Sequence, residues 1–101
     1  MSRTNYDRGR EIEYKIVKVM EDAGYVAQRS AQSRGAWDVC AIGPQGIRFI
    51  QAKRVKKGGS WKGEFEKARE LLEFAPDLPN VAWEIWIWED YLGWIKREVI
   101  K

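Results

Sequence analysis

The stretch that most constrains this chain is Trp37 to Lys53, WDVCAIGPQGIRFIQAK. Two apolar runs flank Gly43-Pro44-Gln45-Gly46, a composition that favours a tight turn. If the runs pair antiparallel about it, Ile42 faces Ile47, Cys40 faces Phe49 and Asp38 faces Gln51. Reading the turn as two or four residues leaves that register unchanged. Side chains alternate along a strand, so Phe49, Gln51 and Lys53 share a face. An acid, an amide and an amine therefore converge at one end of an otherwise apolar hairpin. Burying polar groups costs free energy unless they are partnered, so a purely structural hairpin has little reason to carry them.

A length of 101 residues predicts a single domain over 1–101, with 1–6 (MSRTNY) as a flexible arm. Hydrophobic content of 45% suits a packed core and argues against disorder. No apolar run approaches roughly twenty residues, so no membrane span is expected, and the polar N-terminus has no secretory pattern. One cysteine forms no intrachain disulfide. An intracellular, cytoplasmic protein is the expectation. Cys40, mid-strand, reads as a small buried hydrophobe. The chain has no histidine, which removes Ser-His-Asp and Cys-His catalysis and every histidine metal site. Chemistry is left to carboxylates, lysine, hydroxyls or an oxygen-bound hard metal such as magnesium.

The wider pattern is α-β-β-β-α-β-β. A helix is predicted from Asp7, as N-cap, to Ala23, with Gly24 at C′. Its apolar stripe is Ile12, Ile16, Val17, Val19, Met20 and Ala23. At about 100° per residue Glu13 falls between Met20 and Val17, inside that stripe, whereas Glu11, Glu21 and Asp22 fall opposite. Glu13 is thus a carboxylate aimed at the core edge. Tyr25–Arg29 reads as a strand, and 30–36 as a polar loop with phosphate-capable donors. From Lys53 to Lys62 the chain has five basic residues and no acid, read as a loop that is either merely solvated or phosphate-contacting. A second helix, Lys62–Ala75, presents Phe65, Ala68, Leu72 and Ala75, with Trp61 as an extension; Pro76 and Pro79 stop it. Val81–Trp88 is a strand apolar on both faces: covered on both sides, or exposed to a partner subunit. Trp94–Ile100 is the last strand. The fold class is α/β, a mixed sheet of about five strands flanked by helices in two or three layers.

Glu13, Asp38 and Gln51 form a candidate oxygen-ligand set for Mg²⁺, joined by the Ala52 carbonyl. A cation there would offset charge on a phosphodiester and acidify water. Lys53 is placed to orient or deprotonate that water. Metal-assisted phosphodiester hydrolysis is the chemistry these groups add up to.

D-x(12)-Q-x-K preceded by a helix glutamate resembles the PD-(D/E)xK nuclease superfamily, with its restriction-endonuclease-like core. The match is closest to archaeal-type Holliday junction resolvases. It is carried by Arg8-Gly9 and Glu13, by Gly24-Tyr25 through Arg29-Ser30, by Ser33 before Asp38, and by a tryptophan-bearing terminal hairpin. The resemblance implies a Mg²⁺-dependent homodimer, with Mn²⁺ able to substitute, that recognises four-way DNA by shape and nicks two strands symmetrically. It implies metal binding by Glu13, Asp38 and Gln51, a catalytic Lys53, and Arg29 and Ser33 at the scissile region. Further DNA contacts are expected at Arg8, Arg10, Ser30, Arg34, Arg54, Lys56, Lys57 and Lys62. A two-fold pair would also account for the tryptophan-rich strand. Two positions depart from the family pattern: Gln51 replaces the usual glutamate, and Tyr14 stands where arginine often follows the helix glutamate. The alternatives are another repair or restriction-type nuclease of the superfamily, and a junction-binding protein that does not cut.

Overall fold

The hairpin forms in the register its turn dictates. In the computed structural model, which describes residues 5–30 and 37–101, with side chains of the first helix from Gly9 onward, β2 (Val39–Gly43) pairs antiparallel with β3 (Gly46–Val55). Ile42 lies opposite Ile47, Cys40 opposite Phe49 and Gly43 opposite Gly46, so Pro44-Gln45 is a two-residue turn. Gly46 has φ 120°, and a Cβ there would collide with the Asn80 carbonyl. Cys40 is half-buried rather than buried, because it points to the face of β2 opposite that on which Val39 and Ala41 pack against α1.

The remaining elements are α1 (Asn5–Asp22), β1 (Val26–Arg29), α2 (Lys62–Glu73), β4 (Val81–Glu89) and β5 (Gly93–Val99). The sheet order is β1-β2-β3-β4-β5, with β3 and β4 parallel and every other neighbour antiparallel. The expected mixed five-stranded α/β sheet and element order are thus present. α1 starts earlier than expected, so Asn5 and Tyr6 belong to the helix and Asp7 is inside it rather than its N-cap; residues 1–4 of the expected arm lie outside the described ones. Its C-terminus closes as a Schellman motif, Gly24 N–H donating to Glu21 O (3.0 Å) and Tyr25 N–H to Met20 O (2.9 Å), with Gly24 at φ 91°. Ala23 falls past the helix and is exposed.

Two cores lie on opposite faces of the sheet. Ile16 and Met20 of α1 pack on Val39, Ala41, Ile50 and Trp86. Phe65, Ala68 and Leu72 of α2 pack on Val55, Trp83, Ile85 and Ile87, with Trp61 and Ala75 alongside. β4 feeds alternate residues to each, so it is the strand covered on both sides, and Trp83 and Trp86 are core residues of this chain. The expectation that a partner subunit explains its tryptophans is corrected for those two. β3 runs on to Val55, so Lys53 and Arg54 are strand residues and not part of the basic loop. Among the described residues no helix is long and apolar enough to cross a membrane.

On the α1 face, buried Glu84 takes both ends of the Arg48 guanidinium and the Trp86 indole N–H (3.0 Å). All three partners are satisfied, which buried charges require. Glu84→Ala leaves Arg48 and the indole without their acceptor, and a loss of about 3 kcal/mol is expected. Urea unfolding of the two chains measures it.

Candidate active site

β2 stays hydrogen-bonded to β3 only as far as Val39 opposite Ile50. β3 runs five residues further, from Gln51 to Val55, paired on its other edge with Ile85 through Glu89 of β4. Asp38 stands at this fork, one residue before β2. Its N–H donates to Ile50 O (2.8 Å), and its Oδ2 accepts the Ala52 N–H (2.8 Å). The carboxylate replaces the strand that has ended and satisfies an amide otherwise left open. Continuing the hairpin register by one rung sets Asp38 opposite Gln51, as the sequence predicts.

Glu13 reaches the fork from α1 and is buried, as its place in the apolar stripe requires. Arg29, the last residue of β1, donates from Nε to Glu13 Oε1 at 3.0 Å. Its guanidinium also lies 4.8 Å from the centre of the Tyr14 ring. Burial pushes the Glu13 carboxyl above its ordinary range, and the nearby Asp38 carboxylate pushes the same way; Arg29 opposes both. Two carboxylates thus share a desolvated place, and the guanidinium on Glu13 offsets part of their repulsion.

Gln51 is buried, and among the described residues its Oε1 is the buried side-chain polar atom with no hydrogen-bond partner. Such an atom normally costs about 1–3 kcal/mol. Two carboxylates and an unpartnered amide oxygen are the donor set a hard divalent cation takes, so the residues fit one. Among the described residues no three His, Cys, Asp or Glu side chains cluster for a metal, since the third oxygen here comes from an amide. Lys53 lies on the same face as Gln51, with Nζ 4.0 Å from Glu64 Oε2 in the first turn of α2.

The expected DNA contacts divide. Arg10, Lys56, Lys57 and Lys62 are exposed. Arg29 and Ser30 belong to the site itself, Ser30 N–H donating to Asp38 O at 2.7 Å. Arg54 is paired with Asp90 at 2.7 Å. Ser33, Arg34 and the Arg8 side chain lie outside the described residues. Sequence reasoning missed Glu64 and the stacking of Arg29 on Tyr14. Neither leaves a local signal, because each joins residues from different elements.

A protein-family model, Hjc, the archaeal Holliday junction resolvases, matches residues 4–87. The chain belongs to the archaeal Holliday junction resolvase family. It is a hydrolytic endonuclease that acts on four-way DNA junctions. Resolvases of this family are metal-dependent, in keeping with the donor set at the fork. Among solved structures it is similar to Archaeoglobus fulgidus Hjc, a Holliday junction resolvase from an archaeal hyperthermophile, determined at 1.6 Å. The likeness covers 92% of this chain and 73% of that one at 15% identity, with a TM-score of 0.60. At that identity it carries the resolvase fold. No curated protein matches.

The raised Glu13 carboxyl fixes a sign. The folded chain holds that proton more tightly than the unfolded chain, so the charge costs stability above the raised value, and the cost vanishes below the ordinary 4.5. In chelator at pH 7 to 8, Glu13→Gln is expected to melt a few degrees higher than the unaltered chain, the gap closing as pH falls below about 4.5. Added divalent cation is expected to reverse the order if Glu13 is one of its ligands. Thermal melts across pH, with and without the ion, check both statements.

Proposed function

We propose that this resolvase cuts with Mg²⁺, for which Mn²⁺ can substitute, held by Glu13, Asp38 and Gln51 with the Ala52 carbonyl alongside. The observation that carries the reading is the unpartnered oxygen of buried Gln51, opposite Asp38 in the continued register and on the strand face of Lys53, where the Asp38 carboxylate is near enough to raise that of Glu13. When bound, the ion supplies a Lewis acid that offsets phosphodiester charge and makes water a better nucleophile. Lys53, kept near the fork by its place on β3 and by Glu64, orients the attacking water, takes its proton or neutralises the transition state. Arg29 holds Glu13 and, with Ser30 and Ser33, contacts the scissile region. Arg8, Arg10, Arg34, Arg54, Lys56, Lys57 and Lys62 contact flanking phosphates, which position a backbone without reading sequence. The whole chain, 1–101, acts as one nuclease domain within the cell.

Two symmetric nicks need two sites at a fixed separation, so the working form is a two-fold homodimer. Leu71 and Phe74 at the C-terminal end of α2, and Leu78 in the segment that follows, are all exposed and supply an apolar surface for it, Phe74 being 90% exposed. Phe74→Glu is expected to halve the mass measured by sedimentation while leaving the fold intact.

On a four-way junction with Mg²⁺, Asp38→Asn and Lys53→Ala are each expected to slow cutting by about 100-fold or more. Both should bind the junction near the level of the unaltered chain. Retained cutting removes the altered residue from the mechanism. Gln51→Glu adds a charged ligand and is expected to tighten Mg²⁺ by about tenfold in calorimetry. Cutting of linear duplex as fast as the junction would favour a restriction- or repair-type nuclease. Folded protein with no Asp38-dependent Mg²⁺ binding and no nicks would favour a junction binder that does not cut.

A further inference from the structure

The turn between β4 and β5 points two large apolar side chains at solvent: Tyr91 is 90% exposed and Leu92 65%. Tyr91 has φ 69°, a region that side chains with a Cβ rarely adopt. The surroundings hold it there. Asp90 N–H donates to Val55 O (3.0 Å), Leu92 N–H donates to Glu89 O (3.1 Å), and Asp90 is paired with Arg54 at 2.7 Å. Buried Glu89 accepts the Gly58 N–H at 3.3 Å. The turn is thus fastened to the end of the strand carrying Gln51 and Lys53, and to the loop bearing exposed Lys56 and Lys57.

Lys53 lies opposite Ile87 and Val55 opposite Glu89 in the ladder, so the turn that carries Tyr91 leaves the sheet two rungs, about 7 Å, beyond Lys53. That is about two base steps along a stacked strand. Behind the turn a cleft of about 210 Å³ runs to α1, lined by Tyr91, Trp88, Lys15 and Arg54 among others. Lys15 Nζ sits 5.0 Å from the Trp88 ring centre. The cleft also holds the acids Glu11 and Asp90, so its aromatic faces are bordered by two cations and two acids, of which Arg54 and Asp90 are paired.

We propose that the Tyr91–Leu92 turn is a base-stacking surface that receives unstacked bases at the open centre of branched DNA. Lys15, Lys56 and Lys57 contact the phosphates on either side. The inference rests on the junction-cutting reading and adds a source of shape selectivity to it. A continuous duplex offers no open base face near the backbone, whereas a branch point does. Stacking on an aromatic ring is tolerant of sequence, because every base has a π face. An apolar wedge beside it stabilises a step already unstacked. With Arg54 engaged by Asp90, the complementarity to a polyanion rests on exposed Lys15, Lys56 and Lys57, in a chain whose net charge of +3 disfavours a second copy of itself.

The test uses a four-way junction carrying 2-aminopurine at its centre, with Asp38→Asn in the protein so that the DNA stays whole. Binding is expected to change the fluorescence of the central probe and not that of a probe placed in an arm. Adding Tyr91→Asn, which tolerates the positive φ, should abolish the signal and weaken junction binding about 5- to 100-fold while leaving linear duplex binding unchanged. Tyr91→Phe should retain both. Equal junction affinity for the Asn and Phe variants overturns the proposal. So does a lower sedimentation mass for Tyr91→Asn, which would make the turn a contact between copies. Absence of any junction binding by Asp38→Asn counts against the junction-cutting reading, and this proposal falls with it.

Discussion

The Asp38 carboxylate on the Ala52 amide is the contact on which the candidate site depends. β2 begins only at Val39 while β3 extends past it, and the edge this leaves open is where the proposed cation and phosphate would approach. A fork of this kind exposes backbone donors that water or a side chain must satisfy. Asp38 does so with one oxygen at 2.8 Å, which fixes the other relative to Gln51 and Glu13. The residue that closes the sheet is thus also one to which the proposed chemistry assigns a metal ligand.

The rest of the fold holds this edge still. β4 is packed on both faces, by α1 through Trp86 and by α2 through Trp83, Ile85 and Ile87. Phe49 stacks on Trp83 at 4.4 Å, and Trp37 leans on both rings at 4.8 and 6.0 Å. That aromatic group anchors the residue immediately before Asp38. Lys101 donates from Nζ to the Glu73 and Ala75 carbonyls at 2.7 and 3.0 Å, satisfying acceptors at the end of α2. Each helix is therefore secured at its C-terminal end, α1 by backbone geometry and α2 by a side chain from the far end of the chain.

Much of this was legible in the sequence because it is periodic or local. The hairpin register follows from the turn, the α1 terminus from Gly24, and the inward aim of Glu13 from its angular position among isoleucines. The convergence of Asp38, Gln51 and Lys53 follows from strand alternation. What stayed hidden depends on residues meeting from separate elements. Arg29 pairing with Glu13 while stacked on Tyr14, Glu64 reaching Lys53, and Asp90 claiming Arg54 are all of this kind. The basic run from Lys53 to Lys62 looked like one loop because charge does not report hydrogen bonding. The β4 ladder holds its first three residues in the sheet. The tryptophans of β4 suggested a partner, yet two helices on opposite faces bury Trp83 and Trp86.

Gln51 has a consequence for how much the proposed site would lean on its substrate. Glu13 and Asp38 bring two carboxylates to the fork, Arg29 is bonded to the first, and Lys53 lies 4.0 Å from Glu64. With an amide in place of a third acid, the protein would offer a cation one charge fewer at this position. On the proposed reading a phosphodiester oxygen would make up that difference, so the DNA would itself help to retain the ion.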